Sequence, residues 1–136
     1  MIMDIIRLNG KDKLLYDLVA PLAMNPAVIR QNNGYPFKTS QQHVWYIAVS
    51  DDSVVGFMPL KKGSAGMLID NYYIRGDDSN IITGLVEKTV CDFGSSGTLA
   101  AMVFKRHVEI FRNLYFLSVV ELKNYDKMEY RRLLKA

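Results

Sequence analysis

The residue types that do chemistry are sparse in this chain and fall in few places. Cys91 is the one cysteine, so no internal disulfide can form. His43 and His107 are the only histidines, too few beside a single cysteine for an ordinary zinc ligand set. Cys91 stands next to Val90 and close to Phe93 in a helical pattern, where a cysteine reads as core rather than as a nucleophile. Asp77-Asp78-Ser79-Asn80 marks the point where an extended run gives way to a helical one. Asp78 or Ser79 caps the helix there, since either side chain can accept from a first-turn N–H. Positive charge gathers late, as Lys105-Arg106, Arg112 and Arg131-Arg132 with Lys135. The tail reads as a solvated face. Lys105-Arg106 reads either that way or as an anion-attracting region for a phosphorylated cofactor.

Hydrophobic periodicity supplies the frame. Ile2, Ile5, Ile6 and Leu8 suit a short strand, broken by Asn9-Gly10. Leu14, Leu15, Leu18, Val19 and Leu22 recur at helical spacing with one apolar face. Pro26 and Gln31-Asn32-Asn33-Gly34 bound a second, shorter helix, and Tyr35 to Gln42 reads as a loop. Val44 to Ser50 and Val54 to Lys62 are strands joined by an Asp51-Asp52 turn. Pro59 lies inside the second of them and cannot donate to a ladder, so a bulge or an outward-facing position is required there. Met67 to Arg75 makes a third strand of the meander. Ile81, Ile82, Leu85, Val86, Thr89, Val90 and Phe93 then follow the helical template. Gly94-Ser95-Ser96-Gly97 stops that helix, with glycine at the end where a left-handed cap is easiest. A strand at Thr98 to Val103 and a short helix through Val108, Phe111 and Leu114 follow. The strands Phe116 to Leu122 and Tyr125 to Tyr130 close the chain, and the latter, taken as an exposed terminal strand, makes a homodimer plausible.

The order β-α-α-β-β-β-α-β-α-β-β predicts a single α/β domain of the α+β type. Its sheet is mixed, mostly antiparallel and twisted, with about six to seven strands and helices on both faces. A length of 136 residues is enough to bury a core without disulfides. A net charge of +3 is too small to argue for nucleic acid. The apolar runs fall far short of the roughly 18 residues that span a membrane, and the start Met1-Ile2-Met3-Asp4 does not read as a secretory signal. A cytoplasmic protein is the expectation.

In its order of elements the chain resembles the GNAT (GCN5-related N-acetyltransferase) superfamily as a divergent member, and three segments carry the resemblance. Val55-Gly56-Phe57 is similar to the "vGf" step of that family's central hairpin. Ile69-Asp70-Asn71-Tyr72-Tyr73-Ile74, then Arg75-Gly76 and the Ile81-to-Phe93 helix, resembles its fourth strand and cofactor-binding helix. Phe111-Arg112-Asn113-Leu114-Tyr115-Phe116 resembles its late helix-to-strand step. The resemblance implies transfer of an acetyl group from acetyl-coenzyme A to an amine on a small molecule or protein. The alternative is a non-catalytic binding or adaptor domain on the same scaffold.

The same resemblance places the pantetheine and pyrophosphate of the cosubstrate along Tyr73, Ile74, Arg75, Gly76, Ser79, Asn80 and Ile81. There, strand backbone and the free N–H groups of a helix start can meet them. This chain departs from the family's glycine pattern, with Gly76 early and Gly84 a turn inside the helix. The family's acidic base falls on Leu68, and Asp70, two residues along on the same strand face, is the candidate in its place. The family's late tyrosine, which protonates the leaving thiolate, is matched by Phe111, which has no proton to give. Tyr115 and Tyr73 are the candidate replacements, and His107 is a further candidate at the start of the late helix. Acceptor recognition is implied for Asn32 to Gln42, including Tyr35, Phe37 and Lys38, and for Trp45 and the Lys123-to-Lys127 turn.

Overall fold

The computed structural model describes residues 3–131. Strand β1 (Asp4–Asn9) leads into helices α1 (Lys13–Ala23) and α2 (Pro26–Gln31). Both helices begin on side-chain caps: Asp12 accepts from the N–H of Leu14 at 2.9 Å and Asn25 from that of Ala27 at 2.9 Å, with Pro26 in the first turn. A loop then reaches the hairpin of β2 (His43–Ser50) and β3 (Ser53–Lys62). Asp51 and Asp52 at its tip have φ of 50° and 61°, the left-handed pair that matches the twist of the flanking strands. After β4 (Gly66–Ile69) and β5 (Tyr73–Ile74) come helix α3 (Ser79–Phe93) and strand β6 (Thr98–Phe104). Helix α4 (Val108–Asn113) and the hairpin β7 (Phe116–Glu121) with β8 (Tyr125–Tyr130) follow.

One mixed sheet runs β1-β2-β3-β4-β6-β8-β7, with β5 pairing β3. All its pairings are antiparallel except β4 with β6. Core fills both faces. On one, α3 buries Ile81, Ile82, Leu85, Val86 and Thr89 against Tyr46, Met58, Leu60 and Ile69. On the other, α1 and α2 pack Leu15, Val19 and Val28 on Trp45, Ile47, Phe57 and Tyr73. Each fully buried aliphatic side chain contributes about 1.5–3 kcal/mol, so the helices are held by their apolar stripes more than by their caps. Gly56 makes the close approach of α3 possible, because a Cβ there would lie 2.9 Å from Ile81 Cγ2 and 2.9 Å from the carbonyl oxygen of Tyr73.

Several expectations are corrected. The strand read as Met67 to Arg75 is broken into β4 and β5 by Asp70–Tyr72. Pro59 explains where: it lies between the pairs Leu60↔Ile69 and Phe57↔Tyr73, so its missing N–H falls opposite the break and costs the ladder nothing. Gly94 continues right-handed, at φ −64°, and the left-handed glycine is Gly97 at φ 121°. Cys91 is exposed rather than core, because it lies on the side of α3 turned from the sheet. The strand Tyr125–Tyr130 is not an edge, since β8 pairs β6 on one side and β7 on the other. The register of the final hairpin puts β7 outermost among the described residues. Arg132 and Lys135 lie outside the described residues.

Candidate functional site

The break between β4 and β5 makes the site. β4 runs parallel to β6 as far as Ile69↔Ala101, and beyond that pair the two strands part. One arm, Asp70–Ile74, bends toward β3. The N–H of Asp70 donates to Pro59 O at 3.1 Å, and β5 pairs Phe57 and Gly56. Asn71 turns the corner at φ 58°, a left-handed conformation that asparagine tolerates. Its side chain is held from a distant part of the chain: Nδ2 donates to Pro36 O at 2.8 Å, and Oδ1 accepts from Asn32 Nδ2. The other arm is Met102–Phe104, which stays with β8.

At the apex of this V lies a cavity of about 390 Å³ on the α1/α2 side of the sheet. The first unpaired residues of both arms, Asp70, Asn71 and Met102, line it, together with Pro59, Leu122 and Tyr125. Tyr35, Lys38 and His43 close it from the loop before β2 and the start of that strand. The ring of Tyr35 lies 6.2 Å from that of Tyr125, joining that loop to the β7–β8 turn. Ile69 faces the α3 side, paired with Leu60, so Leu68 and Asp70 share the opposite face. His43 Nδ1 is 2.7 Å from Ser40 Oγ. Burial lowers the His43 pKa, the Lys61 ammonium lowers it further, and Asp70 opposes them. Burial raises the phenol of Tyr125.

Between the arms of the V the space is filled. The ring of Tyr72 inserts there, packed 5.0 Å from Phe104 and 5.8 Å from Phe111. Its hydroxyl accepts from the N–H of Phe104 at 3.2 Å and donates to His107 Nδ1 at 2.7 Å. His107 Nε2–H in turn donates to Asp77 Oδ1 at 2.7 Å, which sets the tautomer of the neutral ring. Burial holds the His107 pKa below its ordinary value, although Asp77 pulls the other way, and burial pushes the Tyr72 phenol well up. Burial also acts to raise Asp77, but its hydrogen bonds from Arg106 and His107 outweigh that and hold the carboxyl low. Arg106 Nε reaches Asp77 at 2.9 Å. Gln31 Nε2 donates to Ile74 O at 2.9 Å. No space the size of a water molecule is left in this slot. Asn32 also lines it, and its Oδ1 is the one buried side-chain polar atom among the described residues without a hydrogen-bond partner.

The residues singled out in the sequence separate accordingly. Asp70 lies in the apex cavity and His107 in the filled slot, on the chain Tyr72–His107–Asp77. Tyr115 is at neither place. It is 49% exposed at the α4–β7 junction with φ 72°, the left-handed conformation that a glycine ordinarily takes. Tyr73 turns its ring into the α1/α2 core, 5.5 Å from Phe57. Trp45 is buried there too, donating to Thr39 Oγ1 at 3.0 Å, and does not line the apex cavity. Phe37 packs edge-on to Phe57 at 5.0 Å, so of the loop aromatics only Tyr35 reaches the cavity.

The turn from Ile74 into α3 carries the remaining candidates. Gly76 at φ 64° and Asp77 at φ 52° make a left-handed kink, and Arg75 is exposed. Asp78, rather than Ser79, is the cap: its carboxylate accepts from the N–H of Asn80 at 2.8 Å. Ile81 buries its side chain in the core. Sequence reasoning passed over Tyr72 as the partner of His107, Arg106 as the partner of Asp77, and Gln31 and His43 as lining residues. Pro59 and the Asp70-Asn71 pair were the available signals, because a proline and a turn-prone residue facing each other across two strands mark an interruption.

No family model matches this sequence, and no curated protein matches it. Solved structures do match in fold. The ElaA protein of Escherichia coli superimposes with a TM-score of 0.77 at 11% identity, over 96% of this chain and 100% of that one. An acyl-CoA N-acyltransferase from Pseudomonas aeruginosa gives a TM-score of 0.72 at 13% identity, over 96% and 100%. A GNAT family acetyltransferase from Elizabethkingia anophelis with acetyl-CoA bound gives 0.64 at 11%, over 96% and 98%. The chain has the GNAT fold.

Proposed function

We propose that the protein is an acyltransferase that moves an acetyl group from acetyl-coenzyme A to an amine. The observation that carries this is the parting of β4 and β6 after Ile69↔Ala101, with a cavity at its apex and a helix N-terminus at the end of one arm. The cosubstrate supplies an activated thioester. The chain supplies positions for its parts. Asn32 Oδ1, buried and unpaired along the slot, asks for an N–H donor such as a pantetheine amide. The first turn of α3 offers backbone N–H groups and the positive end of its dipole to a pyrophosphate. Asp77 and Asp78 do not repel it with full force, since Asp77 is paired with Arg106 and His107 and Asp78 is turned onto Asn80. Gln31 and Arg106 close the slot from its rim, and both must swing aside for the arm to enter.

That closure favours a second reading, a non-catalytic binding module whose slot is sealed by its own side chains. Two measurements separate them. Calorimetric titration with coenzyme A should give a saturable signal and a thermal shift. No heat and no shift at millimolar ligand would sink the first reading. Thiol release from acetyl-coenzyme A in the presence of mixed amines would remove the second.

A further inference from the structure

We propose that the apex cavity holds a primary amine with a compact apolar or aromatic body, its ammonium beside Asp70, and that His43 is the base that deprotonates it. The proposal rests on the reading of the V as a thioester site. The cavity, about 390 Å³, is walled by Tyr35, Tyr125, Pro59, Met102 and Leu122, which suit an apolar body. Its charged side chains are one carboxylate, Asp70, and one ammonium, Lys38. A monoamine meets its counter-ion there, whereas a second amine on the same molecule would meet Lys38.

His43 is placed to take the proton. It opens β2, whose Trp45 and Ile47 turn to the α1/α2 face, so its ring lies on the cavity side of the sheet. Ser40 Oγ lies 2.7 Å from Nδ1 and 3.4 Å from Gln42 Oε1, which can only accept. In the proposed tautomer the serine proton goes to Gln42 and the hydroxyl oxygen accepts Nδ1–H. Nε2 then keeps its lone pair. The charged and titratable groups around the ring are Lys61 on β3, Lys38 on the loop, Asp70 at the break and Tyr125 on β8. Burial and Lys61 outweigh Asp70, so the imidazole is neutral at pH 7 and free to accept.

The step balances. Asp70 holds the ammonium while Nε2 takes one proton from it, leaving a lone pair on nitrogen. That nitrogen forms the C–N bond to the thioester carbonyl carbon, a second N–H proton is lost to water, and the C–S bond breaks with its electron pair on sulfur. The thiolate takes a proton from water, and His43 returns its own to solvent.

The test uses the full chain with acetyl-coenzyme A and 2-phenylethylamine, following thiol release against pH, and ¹⁵N NMR of the ligand-free imidazole. The ring should show an unprotonated Nε2, and kcat/KM should fall as pH drops through a value below 6.5. His43→Gln should lower kcat by about 10²–10³-fold, remove that acid limb and leave coenzyme A affinity unchanged. Asp70→Asn should raise KM for the amine. A wild-type ring carrying Nε2–H, or a His43→Gln variant within about threefold of wild-type kcat, overturns the base role alone. Turnover of spermidine but not phenylethylamine overturns the substrate class. A wild type that neither binds coenzyme A nor releases thiol overturns the parent reading and this one with it.

Discussion

Replacing Tyr72 with Phe isolates one oxygen at the centre of the slot. The ring of Tyr72 is 1% exposed and packs against Phe104 and Phe111, so the phenylalanine keeps the volume and opens no cavity. What is lost is a hydroxyl that satisfies two groups at once, the N–H of Phe104 and Nδ1 of His107. Both lie in the buried wall between β6 and α4, where water cannot replace the partner. A buried polar group left unpaired costs about 1–3 kcal/mol, and His107 recovers part of its share by shifting, so the expected loss is about 2–4 kcal/mol. For a chain of this size that is a fall in Tm of roughly 6–15 °C. Urea denaturation should show a lower midpoint with an unchanged slope, since the surface exposed on unfolding is the same. Tyr16→Phe, on an exposed stretch of α1, should stay within about 0.5 kcal/mol of wild type. The His107 pKa should rise in the variant, because the phenol that donates to Nδ1 no longer opposes protonation there. A Tyr72→Phe protein less than about 0.5 kcal/mol below wild type would refute the account of the filled slot.

Other outcomes follow from the same contacts. Gly56→Ala should cost about 1–3 kcal/mol, because the new methyl meets Ile81 Cγ2 and the carbonyl of Tyr73 at 2.9 Å; an unchanged urea midpoint would show that α3 can back away. Stability should fall on acidification. The His107 pKa is lowered in the folded state from its ordinary 6.5, so the unfolded chain binds the proton first and stability is lost as pH drops from about 6.5 toward the folded value. Asp77, also lowered, adds to the loss further down, and a midpoint that rises between pH 7.5 and 5.5 contradicts this. Gln31→Ala unlatches the rim of the slot at Ile74 and leaves Arg106 on Asp77. If closure opposes the cosubstrate, coenzyme A should bind about tenfold more tightly, equivalent to about one hydrogen bond, and calorimetry showing no gain would mean the latch is irrelevant to binding.

Much of the frame was legible residue by residue. The Asp51-Asp52 turn, the apolar stripe from Ile81 to Phe93 and the late hairpin across Lys123-Asn124 are local signals, and each produced its element. Errors began where one element depends on another far along the chain. A left-handed cap looked easiest at a glycine, yet at Gly94 the missing side chain instead lets Val90 and Tyr130 approach: a Cβ there would meet Val90 O at 2.6 Å and Tyr130 at 3.2 Å. Tyr125–Tyr130 looked like an edge because it comes last among the strands, but β7 turns outward and β8 slots between it and β6. Trp45 was implied for acceptor recognition by the family resemblance, but the strand face that carries it is the one α1 covers.

The sequence by itself determined the order of helices and strands apart from the break between β4 and β5, the Asp51-Asp52 turn and the apolar faces that must meet, because those depend on residues within a few positions of each other. It required a bulge or an outward-facing position at Pro59, yet Pro59 is buried in an unbroken β3, in register with Trp45, and it is the facing strand that breaks. Only the tertiary structure decided that break. Pro59 falls opposite Asp70–Tyr72, Asn71 is tied to Asn32 and Pro36, and Tyr72 meets Phe104 and His107 across 32 and 35 residues of chain. Such contacts exist only once β4 and β6 lie side by side. For the same reason His43 and Asp70 share a cavity, while Tyr115, sequentially close to the late helix that was expected to supply a tyrosine, ends in solvent.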